Sequence, residues 1–113
     1  MFNKELLGLT VALAVLTGCM GFKPAAPPVN QAIAAEGLKR GATWAELDNG
    51  RRLLAMRCTN CHSLEPISSR TPSEWCQVVE DMSERSGLSP KETEEITHYL
   101  ISVRESDSPP RPR

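Results

Sequence analysis

The chain has 113 residues, with 13 Lys and Arg against 14 Asp and Glu, a formal net charge of −1, and 40% hydrophobic but only 4% aromatic residues. This length allows one modest domain, and the near-neutral balance supplies no field for gripping nucleic acid. So few aromatics leave a small core short of large side chains.

Met1 to Glu5 carries one Lys and one Glu, Leu6 to Leu16 is almost wholly apolar, and Leu16-Thr17-Gly18-Cys19 follows at once. A bilayer span takes about 20 apolar residues, so this shorter run reads as an export signal. Its end resembles the lipobox of bacterial lipoproteins, with leucine three positions before a cysteine and a small residue just before it. That resemblance implies a signal peptide over 1–18 and a lipidated Cys19 as the first residue of the mature protein. Each buried acyl CH₂ contributes about 0.8 kcal/mol, so several chains would hold the protein on a membrane, facing the periplasm. Met20, rather than Asp, follows the cysteine, which by the same resemblance favours the outer membrane. The competing reading is an ordinary signal peptide cut near Ala25-Ala26, with an incidental cysteine.

Residues 19–41 contain Pro24, Pro27 and Pro28 among Ala, Gln and Asn, with little sustained periodicity. They read as a tether, with at most a helical turn over Gln31 to Ala35. A flexible coil of this length spans roughly 25 Å, enough for a domain over 42–104 to clear the headgroups and swivel. At the other end, 105–113 carries Pro109, Pro110, Pro112, Arg111 and Arg113 and reads as a solvated tail.

Three helices are expected between these flanks. Thr43-Trp44-Ala45-Glu46, Thr71-Pro72-Ser73-Glu74 and Ser89-Pro90-Lys91-Glu92 all read as capping boxes, and Pro72 and Pro90 stand at the first helical position, where a missing N–H is harmless. No period-two run competes, so the expected class is all-α.

The first helix, about Trp44 to Arg57, presents Trp44, Leu47, Leu54 and Cys58 along one face. It delivers the chain into Cys58-Thr59-Asn60-Cys61-His62. Two thiols and an imidazole at this spacing are what covalent attachment of a c-type haem requires: Cys58 and Cys61 reach the two vinyl groups, and His62 becomes the proximal ligand. A zinc site with Cys76 or His98 as fourth ligand competes, but a second close ligand pair is missing. A thioredoxin-type dithiol lacks its βαβ setting, and a plain disulfide leaves His62 without a purpose.

Gly50 lies inside the first helix, where it costs about 0.8–1 kcal/mol relative to alanine. Gly50 and Leu54 stand eight and four positions before Cys58. With the haem motif, this resembles the small class I c-type cytochromes over roughly Trp44 to Val103. The resemblance implies three main helices packed around one covalent haem c. It also implies that Gly50 lets the last helix cross closely, with Ile96, Tyr99, Leu100 and Val103 as the matching face. Those four residues also fit an amphipathic stripe on their own spacing.

On the middle helix Trp75, Val78, Val79 and Met82 recur at helical spacing, and Gly87 ends the element. The resemblance makes Met82 the distal haem ligand, placed before the C-terminal helix. Core filling by Met82, ligation by His98 and an open sixth site are the alternatives. The resemblance further implies that the Pro66 carbonyl accepts from the proximal imidazole, and that Arg70 and Trp75 donate to a haem propionate. A solvated Arg and a core Trp are the plainer readings. Cys76 is left over, and reads as an inert buried thiol, with an intermolecular disulfide as the alternative.

The expected function is a membrane-tethered monohaem electron carrier of the bacterial cell envelope, exchanging electrons with redox partner proteins. It binds no nucleic acid, and no enzymatic machinery of its own stands out. A haem subunit of a larger envelope oxidoreductase and a ligand-binding sensor with an open sixth site are the competing functions.

Overall fold

The computed structural model describes residues 26–58 and 64–108. The signal segment, Cys19, residues 20–25, Cys61, His62 and the tail over 109–113 lie outside the described residues. The described chain is all-helical, with α1 at Gln31–Leu38, α2 at Trp44–Leu53, a π-helical turn at Leu54–Cys58, a 3-10 turn at Ile67–Ser69, α3 at Pro72–Ser86 and α4 at Pro90–Ser106. No helix among these residues is long and apolar enough to cross a membrane.

The start signals work largely as the sequence implies. Thr43 and Ser89 each accept from the amide three residues on, while Glu46 and Glu92 reach back to the capping amides, so both boxes are complete. Thr71 accepts from the Glu74 amide at 3.2 Å, without the reciprocal bond, so α3 starts on a single-sided cap. At the other end Gly87 takes φ 65°, and its amide and that of Leu88 both donate to the Ser83 carbonyl. Only a residue tolerant of the left-handed region closes a helix this way.

The last helix is the hub. It packs against α1, α2 and α3 in turn, and its stripe Ile96, Tyr99, Leu100 and Val103 is no more than 2% exposed at any position. Fully burying a side chain of this size contributes about 1.5–3 kcal/mol. Leu47 of α2 and Leu54 of the π turn meet this stripe in one core with Ile33, Ile67, Trp75 and Val79.

Four expectations need correction. The tether over 19–41 is shorter than expected, because a folded helix, α1, occupies its second half: Ile33 is 2% exposed, and the Tyr99 hydroxyl donates to the Pro27 carbonyl at 2.6 Å. The domain therefore begins at or before Ala26, whose carbonyl accepts from Arg51 Nε at 3.0 Å. The tail begins later than residue 105, since α4 continues to Ser106 and Arg104 Nη1 donates to Ser108 Oγ. Trp44, expected on the buried face, is 50% exposed, because it lies on the first turn of α2 at the edge of the stripe. Finally, the first helix stays α-helical only to Leu53 and then widens into the π turn that carries Cys58.

Candidate functional site

A cleft opens where the π turn, α3 and the start of the 64–66 segment meet. It is small: the space open to a water-sized molecule is about 30 Å³, inside a wider envelope of about 410 Å³ that includes open solvent. Leu54 and Cys58 form one side, Val78, Val79 and Met82 of α3 another, and Trp75 and Leu100 close the floor. Glu65 is the charged residue on its rim. A wall this apolar favours a hydrophobic occupant.

Local structure explains how these groups converge. The π turn is an insertion of the kind that re-aims side chains near functional sites, and it directs Cys58 inward, where the residue is 7% exposed. Burial pushes the free Cys58 thiol up from its ordinary pKa. Arg57 Nη1 donates to the Ser86 carbonyl at 3.4 Å, which links the π turn to the end of α3 and sets a cation against that helix C-terminus. Met82 thus projects into the same cleft as Cys58 from a different helix.

The structure gives internal partners to the three residues expected to make polar contacts with a haem. The Pro66 carbonyl accepts from Ser69 N at 3.0 Å and Ser69 Oγ at 2.7 Å, which fills both acceptor positions of that oxygen. Trp75 Nε1 donates its one N–H to the Ile67 carbonyl at 2.8 Å. Arg70 Nε donates to Glu65 Oε1 at 2.7 Å, and its guanidinium lies 5.8 Å from the Trp75 ring centroid. Together these bonds brace the 65–75 segment at the cleft rim.

Two cysteine and histidine expectations resolve by position. Cys76, expected to be buried, is exposed: it follows Trp75 and so faces away from the stripe. His98 is 21% exposed, lies 3.9 Å from Glu94 and is not among the cleft residues, so it stands apart from Met82. Neither of the two fourth ligands considered for zinc borders the cleft with Cys58.

Leu64 and Leu88 also line the cleft and escaped the reading of the sequence. Leu88 had a signal: an apolar residue directly after a left-handed helix-terminating glycine commonly folds back onto the helix it ends. The residues present fit a porphyrin by their chemistry, since a buried thiol and a thioether share an apolar cleft. No family model, curated protein or solved structure matches the chain.

Proposed function

We propose that the chain is a lipid-anchored, single-haem carrier of electrons in the bacterial cell envelope, built like the small class I c-type cytochromes. One observation carries the reading: Cys58, the first residue of the haem-attachment sequence, lines the same apolar cleft as Met82. Cys58 and Cys61 would hold the porphyrin as thioethers, and His62 and Met82 would ligate its iron. The haem supplies a metal that exchanges one electron between its ferric and ferrous states.

The protein's own part is to fix and shield. Leu54, Trp75, Val79 and Leu100 are buried in the cleft wall and would keep water from that side of a group bound there, which would favour its less charged state. Ligation by both His62 and Met82 would leave no vacant site for substrate, and the chain would carry electrons between partner proteins without substrate chemistry of its own. Cys19, as the lipidated first residue of the mature protein, keeps this carrier at the membrane.

The test is spectroscopic. Protein exported in a host equipped for haem attachment should give the pyridine haemochrome of thioether-linked haem and a mass increased by one haem. The oxidised form should show the sulfur-to-iron charge-transfer band in the red, and Met82→Ala should remove it. Colourless mature protein with the mass of bare peptide plus lipid would end this reading. A coloured protein without the red band would remove Met82 alone.

A further inference from the structure

We infer that the corner between α1 and α2 is a membrane-contacting surface, docking on the phospholipid headgroups and turning the haem cleft toward the aqueous side. The inference rests on the reading of Cys19 as the lipid anchor.

The first argument is the length of the leash. Folded structure reaches back to Ala26, which Arg51 ties to α2, while Tyr99 ties the neighbouring Pro27 to α4. At most residues 20–25 therefore separate the lipidated residue from the domain. Fully extended, that stretch reaches about 22 Å. A small domain is about 30 Å across, so the leash is shorter than the body it holds. Some face of the domain must stay close to the headgroups.

The second argument selects the face. Leu38, Trp44 and Met56 are the exposed large apolar residues among those described, at 72%, 50% and 66% exposure. Leu38 and Trp44 flank the tight turn that ends α1, in which Gly41 at φ 74° lets the Ala42 amide reach the Gly37 carbonyl at 2.9 Å. Lys39 and Arg40 lie between them in sequence. Both pair with Glu36, but Lys39 keeps 68% of its side chain exposed, against 27% for Arg40. An aliphatic residue and a tryptophan flanking an exposed lysine, whose surface ion pair is weak enough to exchange for a phosphate, match the composition of a headgroup-level contact, where the indole straddles the interface.

The third argument is direction. Met56 lies at the far end of the same helical run, about 18 Å from Trp44 at 1.5 Å per residue, two residues before Cys58. With Leu38 and Trp44 on the membrane, the Met56 and Cys58 end points outward. A carrier held this way presents its cleft to soluble or membrane-bound partners without having to swivel.

The test uses the mature, haem-loaded full chain carrying Cys76→Ser, with a nitroxide attached at Leu38→Cys or at Met56→Cys. Each is measured on vesicles of phosphatidylethanolamine and phosphatidylglycerol, and again as protein exported behind a signal peptide without a lipobox and free in solution. The label at 38 should lose collision frequency with an aqueous nickel chelate severalfold on vesicles, relative to the label at 56. Adding Trp44→Glu should restore it. If intact mass confirms the acyl chains and the two labels stay equally accessible on vesicles, the anchor stands and this orientation is overturned. If the mass shows no acyl chains, both the anchor and the orientation fall.

Discussion

Gly50 of α2 lies directly against the main chain of Glu95 in α4: a Cβ built at Gly50 would overlap the Glu95 carbonyl oxygen and come within 2.6 Å of its carbon and 3.1 Å of the Ile96 nitrogen. The contact is with backbone, which cannot rotate away. Glu95 itself is buried and accepts from Asn49 Nδ2, the residue beside Gly50, so the crossing is held by a side-chain bond as well as by close approach.

Gly50→Ala therefore sets two effects against each other. Helix propensity favours alanine by about 0.8–1 kcal/mol. Forcing a methyl into packed backbone costs about 1–3 kcal/mol and spreads through the hub helix. Because the methyl meets main chain, the cost lies toward the upper end of that range and the overlap should win, so denaturant unfolding should reveal a net loss of up to about 2 kcal/mol. A variant as stable as its parent would mean that the helices part without penalty.

Tyr99 joins the N-terminal segment to the core. Burial, partly offset by Arg51, pushes its phenol well above the ordinary value of 10.0, so the hydroxyl remains a donor to Pro27 throughout the physiological range. Because the folded-state value is the higher one, the neutral phenol's contribution is complete below the unfolded value and is lost as pH rises beyond it. Tyr99→Phe should remove about 1–2 kcal/mol and speed amide exchange in α1. It should also flatten the alkaline decline in stability that begins above 10.0. Unchanged exchange in α1 would show that the hydroxyl is not its latch.

These two residues mark what the sequence made legible. The stripe through Ile96, Tyr99, Leu100 and Val103, the three hydroxyl starts and the Gly87 stop all rest on short-range spacing, and the structure has them where that spacing places them. The sequence of α1 looks like tether because the helix's stability is not local. Only Ile33 and Gly37 of its eight residues are buried, and the bonds that hold its approach come from Arg51 and Tyr99, far along the chain. The same limit applies to Cys76 and Trp44, each next to or on the edge of a buried stripe, where one step around the helix decides between core and solvent. At the cleft, Cys58 was legible from its motif and Met82 from its periodicity. The bonds that occupy Pro66 and the indole of Trp75 were not, since they depend on how the 65–75 segment folds back.

The start of α4 carries an acid-sensitive contribution. The Ser89 amide, then the Ser89 hydroxyl, hold the Glu92 carboxyl below its ordinary value of 4.5, and Arg57 adds a smaller pull in the same direction. A depressed carboxyl stabilises the fold above its unfolded value, and that stabilisation is lost as pH falls through the folded one. Thermal melts taken from neutral pH down past 4.5 should therefore show a shallower acid decline in Glu92→Gln than in the parent. An identical acid limb in the two proteins would remove Glu92 as a source of it.

Trp75 separates the cleft's wall from its ligand. The indole is 2% exposed and donates to the Ile67 carbonyl, so it fixes the 3-10 turn and walls the cleft at once. Trp75→Phe keeps an aromatic ring there but leaves a buried carbonyl without its donor, a loss of about 1–3 kcal/mol, with further loss from the smaller ring. Stability should drop accordingly in denaturant titrations, while the red charge-transfer band expected of the proposed haem with Met82 as ligand should remain, because Met82 enters the cleft from α3 without using the indole N–H. If the band disappears together with the stability, the turn at Ile67–Ser69 and the position of Met82 are one mechanical unit, and the wall is what holds the sulfur in place.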